Sequence, residues 1–251
     1  MLFRSLAFGW PSLFLFMALF GFSLAAWIAA RLPETAPKPE GDTTRRLDLG
    51  RTVTSLRVIV SERRSLFYAL ATAVFFGSLF GFLNSAPQIY LTLYGVGAWF
   101  PVLFAAGAVF VAIASLANSR LVLRFGMQRL SHGALIAYIA VAALMSVWVV
   151  AAGGVLPLWA LVGGLCVMQG CFGFIATNFN AMQMEPMGAH AGMASAFFGF
   201  LHMAIGGLIG ATIGQFYDGS LMPMMLGFTV CGAVALALVL LAERGRLMGD
   251  A

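Results

Sequence analysis

Long apolar runs divided by short polar gaps make up most of this chain. The runs match the roughly 20 residues that a helix needs to cross the hydrocarbon core of a bilayer. The pattern predicts seven spans, at residues 10–30, 66–93, 99–117, 131–151, 158–179, 191–216 and 222–242. The first is bracketed by Arg4 and Arg31 and exceeds the roughly 7–15 apolar residues of a secretory signal, so it reads as a true span. In the second, Gly77, Gly81, Asn84 and Gln88 share one helical face. Pro87 removes a backbone hydrogen bond there, a break that neighbours or water must re-satisfy. In the sixth, Gly192, Gly199, Gly206, Gly210 and Gly214 fall in one stripe, which lets a neighbouring helix backbone come close. The expected fold is an all-α integral membrane protein with seven transmembrane helices, the last six forming a bundle.

The polar gaps set the topology. Residues 31–64 hold Arg31, Lys38, Arg45, Arg46, Arg51, Arg57, Arg63 and Arg64, with Pro33, Pro37 and Pro39 stopping any helix near the start. Residues 47–60 are expected to form a short helix along the inner surface, basic groups near lipid phosphates. A second basic loop, residues 118–130, carries Asn118, Arg120, Arg124, Gly126 and Arg129, and the tail carries Glu243, Arg244 and Arg246. The turns on the other side are bare except for Asp218. Basic loops stay in the cytoplasm, so the N-terminus is expected outside and the C-terminus inside. Three segments follow: a single transmembrane helix at 1–31, a basic cytoplasmic loop at 32–65 and a six-helix bundle at 66–251.

Composition removes whole classes of function. Hydrophobic residues make up 61% of the chain and charged ones 9%, against about 25% charged in a soluble domain, so a soluble protein is excluded. The net charge of +5 points to no nucleic-acid partner, because the arginines lie between apolar runs. Cys166, Cys171 and Cys231 show neither metal-ligand nor disulfide spacing. No phosphate loop, zinc-protease helix or nucleophile elbow is present, and the only lysine, Lys38, lies outside the spans. No enzyme activity, cofactor or metal is expected.

No Asp, Glu, Lys or Arg falls within a span; His202 is the one ionisable group noted there, so an ion pump built from this chain alone is not expected. The remaining chemistry is uncharged and polar. Asn84, Gln88, Gln169, Thr177, Asn180, Ser195 and His202 are the candidate contacts for a small-molecule substrate, drug-like or metabolite. The competing reading is that each merely bonds a neighbouring helix, worth about 0.6–2 kcal/mol in a membrane.

Leu32 to Thr35, Asn118 to Arg129, Glu185 to Ala196 and Gly214 to Ser220 together resemble one family, the Bcr/CflA multidrug efflux transporters of the major facilitator superfamily. Leu32-Pro33-Glu34-Thr35 resembles the signature after the family's sixth helix, and Asn118 to Arg129 its basic loop between helices eight and nine. Glu185-Pro186 through Ala191-Gly192-Met193-Ala194-Ser195-Ala196 is similar to the signature opening helix eleven; Gly214-Gln215 with Asp218-Gly219-Ser220 resembles the turn into helix twelve. The resemblance implies helices six to twelve of a twelve-helix fold, with the proton-coupling acid in the half not represented here. It implies proton-driven efflux when an N-terminal half is present, so the expected partners are the bilayer and a separate N-terminal half or second copy. The alternative is a truncated or non-transporting membrane protein that assists assembly without turnover.

Overall fold

The computed structural model describes residues 11–32 and 49–248, which fall in two units, residues 1–48 and 49–251. Arg4, Pro33, Glu34, Thr35, Lys38, Arg45 and Arg46 lie outside the described residues. The first unit contains α1 (Pro11–Arg31), 21 residues of mean hydropathy 2.2. Its apolar side chains lie all round the helix, as suits a lipid-spanning segment.

The second unit starts with α2 (Leu49–Ser61), a 13-residue amphipathic helix. The extended residue Glu62 turns the chain into α3 (Arg63–Pro87). Pro87 has no N–H and its ring crowds the preceding turn, and α3 widens there into a π-helical turn over Gln88–Leu93. A 3₁₀ turn, Gly97–Trp99, leads to α4 (Phe100–Phe125). Then follow α5 (Met127–Ala151), α6 (Leu158–Met184), a 3₁₀ turn (Glu185–His190), α7 (Ala191–Gln215) and α8 (Met222–Ala242). Prolines open α4 and α8, where a missing N–H leaves no bond unmade.

One long apolar stretch, Leu158–Gln215, has 58 residues, and side-chain pairing divides it into two crossings. Against α6, α3 runs antiparallel: Tyr68 meets Phe179 and Phe75 meets Phe172, each with ring centroids 5.2 Å apart. Against α7 it runs parallel, with Gly206 beside Phe76, Gly210 beside Phe80 and Gly214 beside Asn84. Therefore α6 and α7 run in opposite directions, joined by the Glu185–His190 turn. Among the described residues, seven helices have membrane-crossing length and apolarity.

The pair α3 and α6 forms the middle of the bundle. Behind it lie α5 and α8, α5 packing on α6 and α8 on both α3 and α5; α7 flanks α3 and α4 flanks α6. Asn84 of α3, Gln88 of the π-helical turn, and Thr177 and Asn180 of α6 are exposed within this chain.

The segment 118–130, expected as a loop, is helical. It forms the last turns of α4 and the first of α5, broken only at Gly126, whose φ of 79° favours a residue without a side chain. Arginines mark helix ends as well as loops, because their long stems let the charged head reach the membrane surface.

Candidate functional site

The candidate polar residues are spread along the bundle. Asn84 sits near the far end of α3, its Cβ close against Gly214, and Gln88 lies on the π-helical turn. Thr177 and Asn180 lie near the opposite end of α6, and Ser195 near the start of α7, all exposed. The Tyr68–Phe179 and Phe75–Phe172 pairings put Asn84 level with residue 163 of α6. Asn84 and Asn180 are therefore about 25 Å apart along the axis, at about 1.5 Å per residue. The candidate groups therefore lie at different depths along the bundle.

Several of these groups are also satisfied within their own helix. Thr177 Oγ1 donates to the Gly173 carbonyl (2.7 Å), and Asn180 Nδ2 donates to the Ala176 carbonyl (2.9 Å) while its Oδ1 accepts from Gln183 Nε2 (2.6 Å). Such back-bonding is common for short polar side chains in helices. Gln169 is half-buried against Gly107 of α4 and helps line a small cavity of about 10 Å³. With Ser78 and Tyr138 alongside, that is close to the room one water needs.

His202 is different. It lies in the middle of α7, buried at 7% exposure, its ring stacked on Phe76 at 5.5 Å, and Phe76 in turn meets Phe172 of α6 edge-on at 5.3 Å. Its Nε2 has no hydrogen-bond partner. The Oε1 of buried Gln183 is likewise unpartnered.

The glycine stripe divides. A Cβ on Gly206 would lie 3.1 Å from Phe76 Cβ, and one on Gly210 would lie 2.7 Å from the Phe80 backbone carbon. Gly214 packs on Asn84, whereas Gly192 and Gly199 have open space around them. The buried line on α7 is Ala194, Phe198, His202, Gly206 and Gly210. These are four-residue steps, which slant across the helix and interlock with the matching row on α3, where Gly77 and Gly81 receive Ile209 and Ile213. A row in steps of seven leaves that slanted line, and so the assignment of Gly192 and Gly199 to this contact is corrected.

Sequence reasoning missed two polar clusters. Asn118, which was read as part of a loop, is buried on α4; its Oδ1 accepts from Asn178 Nδ2 of α6 at 2.7 Å, and Asn178 Nδ2 also donates to the Phe174 carbonyl. Beside this pair Gly173 brings α6 against the Val111 carbonyl and Ala114. The second cluster lies at the arginine-rich end of the bundle. Glu243 Oε1 accepts from Arg64 Nε (3.0 Å), Tyr68 Oη (2.8 Å) and Gln128 Nε2 (3.2 Å), and Arg64 also reaches Glu185 (3.4 Å). His132 completes it. The Met248 backbone N–H donates to its Nδ1 (3.2 Å), which places the proton on Nε2, facing Tyr68 Oη at 3.0 Å. Arg120, Arg124 and Arg129 lie at the same end, on the last turns of α4 and the first of α5. No group of three His, Cys, Asp or Glu side chains among the described residues is placed to hold a metal.

Comparison with known proteins places this architecture. The family model described as Major Facilitator Superfamily matches residues 2–211. An uncharacterised MFS-type transporter, YdgK, of Bacillus subtilis (strain 168) is 27% identical over 211 residues, covering 82% of this chain and 50% of its own length. A bicyclomycin resistance protein homolog of Haemophilus influenzae is 26% identical over 230 residues, covering 91% of this chain and 56% of its own. The chain thus spans about half the length of the curated relatives it matches. No solved structure matches.

Proposed function

The chain belongs to the major facilitator superfamily, and we propose that it supplies the C-terminal six-helix half, with the preceding helix, of a Bcr/CflA-type inner-membrane transporter that exports drugs or small metabolites. The observation that carries this reading is polar surface left open on the two central helices. Amides and a hydroxyl (Asn84, Gln88, Asn180 and Thr177) are exposed within the chain on otherwise apolar helices. Polar groups in hydrocarbon are unfavourable, so such a face turns towards protein or a water-filled path. An N-terminal half docked on it would enclose a site near the midplane, where two halves rock about a bound substrate.

In this reading the polar residues act at three levels. Gln169 and His202 lie at the middle, with the Phe76 and Phe172 rings; Asn84 and Gln88 lie towards the bare end, and Thr177, Asn180 and Ser195 towards the arginine-rich end. Export of a drug-like compound is supported by the name of the Haemophilus relative. Proton antiport would draw its acid from the other half, since none of the acids of this chain lies within an apolar crossing. The arginine-rich end is cytoplasmic, by the bias of basic residues, which puts the N-terminus of the chain outside.

The test uses cells stripped of efflux pumps that express residues 1–251 alone, or with a complementary five-helix fragment of the Haemophilus relative. Uncoupler-sensitive export of a fluorescent drug, and resistance to bicyclomycin, are expected with both parts and not with the chain alone. Failure of the pair despite normal membrane levels would favour the non-transporting alternative. Export by the chain alone would point to a working homo-oligomer.

A further inference from the structure

We propose that α2 is a membrane-surface anchor, with Val53 and Val60 immersed at the headgroup–acyl boundary and Arg57 holding the phosphate of an anionic phospholipid. The proposal needs the chain to span a membrane with its arginine-rich end at an anionic leaflet, but it does not need it to transport anything.

The apolar arc of α2 is wider than its contact with the bundle. Ile59 is fully buried against Ala69, Met187, Ala194 and Phe198, and on the same side Ser55 Oγ meets His190 Nδ1 at 3.1 Å. At about 100° of rotation per residue, Val53 and Val60 lie roughly a quarter-turn away from Ile59. They are 63% and 46% exposed. With half-buried Leu56, Arg57 and Ser61 they line a shallow hollow of about 510 Å³. Thr54 and Gly50, further round, are exposed and carry no apolar side chain of any size; beyond them Val58, 41% exposed, lies about 160° from Val60. Arg57 stands at the edge of the valine face and makes no ion pair among the described residues. A helix with one apolar arc, a polar back and a basic residue at the border lies in the interface plane.

Charge decides what covers the two valines. Glu62 links α2 directly to Arg63, whose guanidinium reaches the Leu241 carbonyl at the end of α8 (2.9 Å). Arg120, Arg124, Arg129, Arg244 and Arg246 are at this end of the bundle, while Glu185 and Glu243 are already engaged by Arg64. At the other end the turn between α7 and α8 carries only Asp218. An anionic surface is the complement of such an end, and the cytoplasmic leaflet supplies one. The valine patch is also far smaller than the roughly 1,200–2,000 Å² of a stable protein interface.

The test places the 251-residue chain in nanodiscs of phosphatidylcholine, with or without phosphatidylglycerol, after alanine replaces its three cysteines. Spin labels at V53C, V60C and T54C report depth through their accessibility to oxygen and to a water-soluble nickel chelate. Labels at 53 and 60 are expected to be oxygen-accessible and nickel-protected, and the label at 54 nickel-accessible. Nickel access at 53 and 60 equal to that at 54 would place the face in water and overturn the proposal. Protection of both valines accompanied by spin–spin broadening would identify a second copy as the occupant and overturn it as well. The R57Q variant, altered at an exposed residue, is expected to lose about fivefold in preference for phosphatidylglycerol, the effect of roughly one arginine at an anionic surface. An unchanged preference would remove the phosphate from the proposal.

Discussion

Replacing Gly210 by alanine adds one methyl group where two helix backbones meet. That carbon would lie 2.7 Å from the Phe80 backbone carbon and 2.9 Å from the Gly81 nitrogen. Neither atom can swing aside as a side chain could, so α3 and α7 must separate. Separation loosens the seats of Ile209 over Gly77 and Ile213 over Gly81. Overpacking of this kind costs about 1–3 kcal/mol, and a contact with backbone belongs at the upper end, about 3 kcal/mol. Alanine returns about 1 kcal/mol through its better helix propensity. The net loss is about 2 kcal/mol, or a fall in melting temperature of about 4–8 °C for a unit of this size. Gly207→Ala and Gly199→Ala meet open space, so they keep the propensity gain and should melt at or slightly above the parent temperature. The measurement is thermal unfolding of the purified chain in detergent, followed by tryptophan fluorescence. If Gly210→Ala melts with Gly207→Ala, the close approach of α3 and α7 is wrong. If Gly199→Ala falls as far as Gly210→Ala, the contact follows the seven-residue stripe after all.

Other predictions address the polar groups. His202→Phe removes a buried unpartnered nitrogen, a burden of about 1–3 kcal/mol, and keeps a ring against Phe76. It should raise the melting temperature while export by the two-part transporter falls; a lower melting temperature would mean that His202 has a partner in the fold. Asn118→Ala and Asn178→Ala should be less damaging together than the sum of the two singly, with a coupling of about 0.5–1.7 kcal/mol, the range of hydrogen bonds between membrane helices. Zero coupling in the double-mutant cycle would break the α4–α6 link. Asp218 Oδ1 accepts from the Ser220 N–H (3.0 Å) and hydroxyl (2.7 Å), which hold its carboxyl below the ordinary carboxylate value. Its support for the start of α8 is complete above the unfolded value of about 3.9 and is lost as pH falls through the lower folded value. The protection factor of the Met222 amide, which donates to Ser220 Oγ, should therefore fall at acid pH once intrinsic exchange is divided out, and Asp218→Ala should remove that fall.

The crossings were legible because bilayer thickness imposes a length that composition alone satisfies, and the break in the helix after Pro87 because that residue lacks an N–H. What the sequence hid was mostly pairwise. Gly206, Gly210 and Gly214 could be placed on one face, but a helical wheel assumes a straight seam. Only the slant of α3 against α7 separates Ala194 and Phe198 from Gly192 and Gly199. Asn118 looked like loop because Arg120 and Arg124 follow it, and nothing in its neighbourhood announced Asn178. His132 stands at the edge of a span, where a titratable residue draws no notice until Tyr68 and Met248 appear beside it. The candidate contacts Asn84 and Asn180 shared a polar character and an inward phase, yet phase carries no information about depth.

Arg64 and Glu243 are 179 residues apart in the chain, so their pairing dates the completion of the bundle. During synthesis α3 enters the membrane with Arg64 and Tyr68 at its rim long before the carboxylate that both of them bind exists. Until the end of α8 is made, that rim is an unfinished seam. A ribosome that stops at residue 242 would release every helix of the bundle, yet leave Arg64 and Tyr68 without the carboxylate that ties them to the end of α8.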